Sequence, residues 1–309
     1  MTNIVFPGQG SQFVGMGRDF YQEFQEVRDI FSLVEDTTEI KIKDIIFNNF
    51  NNLIDITQFT QLAIFTTSIS IYNVLIKEAS KKKLNIKTIL GHSLGEYTAL
   101  VASNVLSLKT CSKLLKLRGE LMQNAYKENL SGMCAIIGKN CEDIENIILD
   151  NNLSINVAND NSPLQVVVSG TKENLFKAEP IFIDNGVKKY IHLNVSAAFH
   201  SPLMIDAEEK MKNQLNLLDF KNPLYDIVSN YSGQKSNDIS VIYANLINQI
   251  SNKVKWVDSI KCLESEDKND YIEIGPGKIL SGLIKRISKK SKITNINSVD
   301  DLNKYINEL

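Results

Sequence analysis

The chain has 309 residues, 43% hydrophobic and 23% charged, an ordinary globular composition that excludes a disordered or fibrous protein. Its 34 Lys and Arg residues against 36 Asp and Glu give a net charge of -2, so no overall field favours nucleic acid or an anionic membrane. Its four cysteines lack C-x-x-C spacing, so we expect reduced thiols and no metal site: Cys111, Cys134, Cys141 and Cys262.

The first third of the chain predicts two short strands, each followed by a glycine-rich turn. Residues 4–6 are apolar and lead into Pro7-Gly8-Gln9-Gly10, which is typical of the first strand of an α/β domain. No basic and apolar leader precedes them, so we expect a cytoplasmic protein. Residues 62–76 predict a buried helix, too short and too polar to cross a bilayer. A strand at 87–90, a turn at 91–95 and a helix at 96–103 follow.

Residues 131–195 follow a different pattern. Strands are predicted at 133–137, 153–158, 165–169 and 187–195, with helices at 142–149 and 172–184. Pro180 is expected to kink or shorten the second helix. The order βαββαβ is the ferredoxin-like plan.

The last part of the chain returns to larger helices. Helices are predicted at 201–217 and 243–251, and short strands near 226–229 and 271–274. The fold class is therefore α/β, with the small unit inserted into a larger core. We assign residues 1–130 and 196–309 to the core and 131–195 to the insertion.

A candidate nucleophile lies in the turn at 91–95. Gly91-His92-Ser93-Leu94-Gly95 is a G-x-S-x-G sequence between a predicted strand and a predicted helix. That context is typical of a nucleophile elbow, whose glycines permit a tight turn and expose the serine above a helix N-terminus. The alternative is an ordinary glycine-rich turn that caps a helix.

A serine nucleophile needs a base, and the chain has three histidines. The side chain of His92 is expected to diverge from that of Ser93, and His192 lies in a predicted strand, where a packing role is expected. His200 lies where the insertion returns to the core, in the kind of loop that carries catalytic residues. From the residues alone it is the candidate base, and a structural role stays open.

Five segments stand out in this order: 6–12 (FPGQGSQ), 91–97 (GHSLGEY), 118–119 (RG), 198–201 (AFHS) and 273–277 (EIGPG). Together they resemble the malonyl-CoA:acyl carrier protein transacylases, and the resemblance extends from residue 3 to about residue 290. It implies an α/β-hydrolase-like core with a parallel sheet and an inserted ferredoxin-like subdomain, in agreement with the βαββαβ pattern.

The resemblance implies a role for several residues. Ser93 is similar to the family nucleophile and His200 to its general base and acid, a dyad without a catalytic carboxylate. Gln249 resembles a glutamine whose backbone carbonyl orients that histidine. The backbone N–H groups of Gln9 and Leu94 resemble the oxyanion hole, which stabilises charge on the thioester oxygen.

Three further residues are matched to the acyl group. Arg118 is similar to the arginine that binds the malonyl carboxylate, because a planar guanidinium can donate two parallel hydrogen bonds to it. From the residues alone, a solvated helix cation is the alternative. Phe199 and His92 are assigned to substrate specificity, since the bulk of Phe199 would crowd a methylmalonyl group. Ala198 stands where the family commonly has proline.

The implied activity is a ping-pong transfer of malonyl from coenzyme A to the phosphopantetheine thiol of acyl carrier protein, supplying fatty acid biosynthesis. Malonyl-CoA, coenzyme A and acyl carrier protein are the expected partners. No cofactor or metal is expected, nor any nucleic-acid or membrane partner, and we expect a monomer.

Several other functions remain open. A serine esterase or thioesterase would use the same elbow, with Asp160 or Asp184 orienting His200. A discrete acyltransferase of a polyketide pathway would share the chemistry and differ in its carrier protein. A non-catalytic carrier-binding protein is disfavoured because Ser93 and His200 are both present. A dinucleotide site is excluded because Phe13 occupies the third glycine position of the fingerprint.

Overall fold

Two β-sheets organise the protein, whose computed structural model describes residues 2–82, 84–126, 130–264 and 270–309. The strands in these ranges are β1 (Thr2–Phe6), β2 (Ile86–Gly91), β3 (Ser131–Ile137), β4 (Ile155–Ser162), β5 (Gln165–Thr171), β6 (Lys189–His192), β7 (Asp226–Val228), β8 (Lys235–Ser236), β9 (Asp270–Ile274) and β10 (Lys292–Ile296).

The helices of the described ranges surround these sheets. They are α1 (Arg18–Glu23), α2 (Gln25–Thr38), α3 (Ile42–Asn48), α4 (Thr57–Glu78), α5 (Leu94–Ala102), α6 (Leu108–Gln123), α7 (Cys141–Asp150), α8 (Lys172–Asp184), α9 (Ile205–Leu215), α10 (Ile239–Ile247), α11 (Trp256–Glu264), α12 (Ile279–Ile287) and α13 (Val299–Glu308). Short 3-10 turns lie at Phe50–Asn52, Ala79–Lys81 and Pro202–Met204.

The larger sheet positions the candidate site. Its described strands lie in the order β10-β9-β1-β2-β7-β8, and all neighbours are parallel except β7 and β8. The carboxyl ends of parallel strands meet at one edge of a sheet, where α/β proteins bind ligands. The loops after β1, β2 and β7 therefore converge on the same edge.

The smaller sheet forms the ferredoxin-like unit predicted for residues 131–195. Its strands lie in the order β4-β5-β3-β6 and pair antiparallel. Successive side chains of β3 point to opposite faces. Cys134 and Ile136 pack with Phe182 in the core beneath α7 and α8, whereas Met133 and Ala135 pack against the main core. One face of the small sheet thus closes over the large domain.

The longest helix, α4, lies inside the main core and packs against α2, α5 and α6. Among the described residues it is the one helix long and apolar enough to cross a membrane, yet 83% of its most apolar 18-residue stretch is buried within the protein. The predicted burial is confirmed, but the expectation that the segment is too short and too polar to cross a bilayer is wrong, because the helix begins at Thr57 and has 22 residues. Thr60 and Thr66 are compatible with it because their hydroxyls donate to the carbonyls of Ile56 and Leu62.

The predicted bounds of α8 are confirmed, whereas those of α10 differ from the structure. Helix α8 spans Lys172–Asp184, so Pro180 does not shorten it. Helix α10 covers Ile239–Ile247 rather than 243–251, because Asp238 caps its N-terminus by accepting a hydrogen bond from the Ser240 backbone N–H. Gln249 therefore lies beyond the helix, and its carbonyl is available to another partner.

Candidate active site

The turn between β2 and α5 is a nucleophile elbow. Ser93 has a left-handed backbone, φ 51° and ψ -106°, which a non-glycine residue adopts only under local constraint. A Cβ on Gly91 would lie 2.0 Å from the Gly95 carbonyl carbon, and one on Gly95 would lie 2.2 Å from the Phe6 carbonyl oxygen. Only glycine fits at both positions, so the strand and the helix approach closely enough to expose the Ser93 hydroxyl.

Asn230, in the loop after β7, stabilises this elbow by hydrogen bonds to its backbone. Its Oδ1 accepts a hydrogen bond of 2.6 Å from the Ser93 backbone N–H, and its Nδ2 donates one of 2.7 Å to the Gly91 carbonyl. The side chain is buried. Sequence reasoning missed Asn230 because its contacts lie about 137 residues away along the chain.

Replacing Asn230 by alanine will lower the free energy of unfolding by about 2–6 kcal/mol, because the Ser93 N–H and the Gly91 carbonyl lose their partners at roughly 1–3 kcal/mol each. Urea denaturation measures this loss. The matched control is Asn124→Ala at the exposed end of α6, which should change stability by less than about 0.5 kcal/mol. Equal effects of the two substitutions would contradict the role given to Asn230.

His200 is in contact with the nucleophile. Its Nε2 lies 2.8 Å from Ser93 Oγ, and its Nδ1 lies 2.9 Å from the backbone carbonyl of Gln249. Because a carbonyl can only accept, Nδ1 carries the proton, and the Nε2 lone pair faces the serine hydroxyl. Burial first, and then the positive charge of Arg118, lower the pKa of His200 to about 3. The imidazole is therefore neutral near pH 7 and free to accept a proton.

Hydrogen bonds to helix α9 stabilise the loop that carries Gln249. Glu208 of α9 accepts hydrogen bonds from the backbone N–H and the hydroxyl of Ser251, at 3.1 and 2.6 Å. The carbonyl of Gln249 thus has a defined position opposite His200. It occupies the place where the esterase alternative requires a carboxylate, so neither Asp160 nor Asp184 orients this imidazole.

Arg118 of α6 is fully buried beside the nucleophile. Its Nη2 donates to Ser93 Oγ at 3.1 Å and to Gln249 Oε1 at 2.9 Å, and its Nη1 donates to Gln61 Oε1 at 2.6 Å. The guanidinium also lies 5.2 Å from the centre of the Tyr97 ring. The reading of Arg118 as a solvated helix cation is therefore wrong.

No carboxylate neutralises this cation directly. Within the described part of the chain, no Asp or Glu oxygen lies within 4.0 Å of the Arg118 guanidinium, and its Nε has no hydrogen-bond partner. Burial lowers the pKa of Arg118, although not enough to remove its charge at neutral pH. The site thus presents a buried cation to an anionic ligand.

These groups open into a cavity of about 400 Å³ between the two sheets. Gln9 and Leu94 line it beside Ser93. Leu94 is the first residue of α5, so its backbone N–H has no acceptor within the helix. The structure therefore brings both predicted oxyanion donors to the cavity that contains the nucleophile.

The two predicted specificity residues line the same cavity. Phe199 precedes His200 and is buried. The His92 Nε2 lies 2.8 Å from Asn161 Oδ1, and its ring packs 5.4 Å from that of Trp256. His92 is thus bonded to the small sheet rather than to Ser93, and burial lowers its pKa.

The third histidine belongs to the small unit. His192 ends β6, stacks on Phe176 at 4.5 Å and lies 3.3 Å from the Cys134 sulfur. These contacts fit the packing role expected for it. Among the residues that the structure describes, no group of three or more His, Cys, Asp or Glu side chains could hold a metal ion.

Residues 4–307 match the acyl transferase domain family. A malonyl CoA-acyl carrier protein transacylase of Bacillus subtilis is 35% identical over 292 residues, 94% of this chain and 91% of the relative. The crystal structure of such a transacylase from Clostridium perfringens has a TM-score of 0.92 and 33% identity, over 99% of this chain and 96% of that one. A malonyl-transacylase solved in complex with its type II PKS acyl-carrier protein has a TM-score of 0.94 and 31% identity, over 100% of this chain and 99% of that one. The predicted α/β fold is confirmed.

Proposed function

The chain belongs to the acyl transferase domain family and, on that premise, we propose that it transfers malonyl from malonyl-CoA to the phosphopantetheine thiol of an acyl carrier protein. One observation carries the proposal. Ser93 Oγ lies 2.8 Å from a neutral His200 nitrogen and 3.1 Å from a buried Arg118 nitrogen. The nucleophilic oxygen of Ser93 is thus in contact with both its base and the cation that can bind an acyl carboxylate.

Malonyl fits this arrangement because of its length. One methylene separates its carboxylate from its thioester carbonyl, so a cation that binds the carboxylate must lie next to the nucleophile. Arg118 does so, since its Nη2 lies 3.1 Å from Ser93 Oγ. An acetyl group would leave the buried guanidinium without that ionic partner, which is costly inside a protein.

In the first half-reaction His200 accepts the Ser93 hydroxyl proton while Oγ attacks the thioester carbonyl. The backbone N–H groups of Gln9 and Leu94 stabilise the oxyanion of the tetrahedral intermediate. The carbon–sulfur bond then breaks, and the departing coenzyme A thiolate takes the proton from His200. Ser93 is left as a malonyl ester.

In the second half-reaction the pantetheine thiol of the carrier protein gives its proton to His200 and attacks the ester carbonyl. Collapse of the intermediate returns the proton to Ser93 Oγ and forms the malonyl thioester. Gln249 has the supporting role of holding the imidazole through its carbonyl. Phe199 and His92 shape the cavity around the acyl group, and the bulk of Phe199 disfavours a methyl branch.

The remaining properties follow from the same proposal. The reaction requires no metal or cofactor from the protein, since the phosphopantetheine arrives on the partner. We assign it to fatty acid biosynthesis in the cytoplasm, carried out by a monomer that has neither nucleic acid nor a membrane as partner. The polyketide alternative differs only in the carrier protein.

Intact-protein mass spectrometry after brief exposure to malonyl-CoA tests the proposal. We expect one malonyl adduct that disappears when a pantetheinylated acyl carrier protein is added, with the carrier gaining the same mass. Parallel samples with carrier proteins from fatty acid and polyketide pathways separate those two assignments. An adduct cleared equally fast by water alone would instead indicate an esterase.

A further inference from the structure

A buried carboxyl group lies beside the nucleophile, and the proposed transfer makes no use of it. Glu96 occupies the first turn of α5, and its side chain is fully buried. Its Oε2 accepts hydrogen bonds from the Gln249 side-chain amide at 2.7 Å and from the Asn230 backbone N–H at 3.1 Å. An ionised carboxyl so deep in a protein needs a compensating charge.

Gln249 connects this carboxyl to Arg118, the buried cation in contact with the nucleophile. Its amide nitrogen donates to Glu96, and its amide oxygen accepts from Arg118 Nη2 at 2.9 Å. The same amide nitrogen donates to the Ser93 carbonyl at 2.9 Å. Carboxyl, amide and guanidinium thus form one continuous chain beneath the nucleophile.

The other titratable groups of this cluster are neutral near pH 7. Burial raises the pKa of the hydroxyl of Tyr97 and of the thiol of Cys111, and it lowers the pKa of the imidazoles of His92 and His200. Arg118 and Glu96 are therefore the groups of the described cluster that can carry opposite charges. In the absence of substrate they balance each other.

We propose that Glu96 is the resting counter-ion of Arg118, held to it through the Gln249 amide, and that Glu96 takes up a proton when a malonyl carboxylate binds the arginine. This inference rests on the proposed function. Two carboxylates cannot both stay ionised around one buried cation without a large electrostatic cost. The malonyl group contacts the guanidinium directly and Glu96 only through an amide, so the proton goes to Glu96.

The pKa of the Glu96 carboxyl lies near neutral pH, so this group can take up a proton when malonyl binds. Burial raises its pKa to about 7, opposed by its hydrogen bonds to Gln249 and Asn230, by Ser229 and by the charge of Arg118. Neutralising Arg118 with a second anion removes that opposing charge and raises the pKa further. Proton uptake on loading is therefore expected near pH 7 and above, and should be small at pH 5.5, where the carboxyl is already protonated.

The acylation reaction itself does not interfere with the measurement of proton uptake by Glu96. The Ser93 hydroxyl proton leaves on the departing thiol, so acylation itself neither takes up nor releases a proton below the pKa of that thiol. Malonyl-pantetheine is the suitable donor because, unlike malonyl-CoA, it has no phosphate that titrates near neutral pH.

The experiment loads the enzyme with malonyl-pantetheine in weak buffer containing a pH indicator, while intact mass counts the adducts in the same sample. Wild type should take up a measurable fraction of a proton per adduct at pH 7. Glu96→Gln, which keeps the shape of the side chain, should take up none. Absence of an adduct would reject the proposed function, whereas full loading without uptake, or uptake that persists in Glu96→Gln, would overturn this inference alone.

Infrared difference spectroscopy with ¹³C at the malonyl carboxyl needs no variant. We expect the labelled band to stay that of a carboxylate, and an unlabelled protonated-carboxyl band to appear on loading. A labelled protonated-carboxyl band would place the proton on the substrate and overturn the proposal.

Discussion

Ser93→Ala will leave no malonyl adduct and will lower malonyl transfer at least roughly 10⁴-fold, because the covalent intermediate requires the hydroxyl. His200→Ala should cause a loss of similar size, since the His200 Nε2 at 2.8 Å is the base in contact with Ser93 Oγ. The two residues act on the same step, so the double variant should be no slower than the slower single variant.

Single-turnover loading followed by intact mass measures these losses. His192→Ala is the matched control, because this histidine contacts Cys134 and Phe176 of the small unit and should leave the rate unchanged. An adduct on Ser93→Ala would place the nucleophile elsewhere. Losses that multiply in the double variant would show that the two side chains act independently.

The elbow could be predicted from sequence because its determinants are local. Gly91 and Gly95 lie within two residues of Ser93 and form a recognisable pattern, although the contact that requires glycine at position 95 is with Phe6 of the neighbouring strand β1. The small unit was predictable for a similar reason, since alternation along β3 and the βαββαβ order are short-range patterns. Its boundaries were less accurate, as β6 ends at His192 rather than at residue 195.

The supporting residues of the site could not be predicted, because their roles depend on distant segments. Gln61 reads as one of several polar residues in a largely apolar helix, and only the fold places it 2.6 Å from Arg118. Asn230 carries no recognisable local signal, and Glu96 lies in the segment 91–97 without a role of its own being indicated there. The one available indication for Glu96 was an acidic residue in the first turn of a helix, which a helix dipole explains equally well. The structure shows instead that it is buried and linked to Gln249.

Arg118→Ala will lower malonyl loading roughly 10²–10⁴-fold, because removing one partner of a buried ion pair costs about 3–5 kcal/mol. Acetyl loading should be retained or increase, since the uncharged acyl group no longer leaves a guanidinium unpaired. Time-resolved intact mass with malonyl-CoA and with acetyl-CoA gives kcat/KM for each substrate. The ratio of the malonyl-CoA value to the acetyl-CoA value should fall by the same roughly 10²–10⁴-fold.

Two further variants separate the possible reasons for such a change. Arg118→Lys keeps a positive charge but loses the paired donors of the guanidinium, so it should retain part of the malonyl preference. Lys113→Ala removes an exposed cation from the same helix and should leave the preference unchanged, because surface charges on α6 do not reach the cavity. Arg118 also donates a hydrogen bond to Ser93 Oγ. Malonyl and acetyl loading that fall by equal factors would therefore show that Arg118 acts on the nucleophile alone and not on the malonyl carboxylate. A change in the ratio of the two substrates is therefore the result that identifies the arginine as the receptor of the malonyl carboxylate.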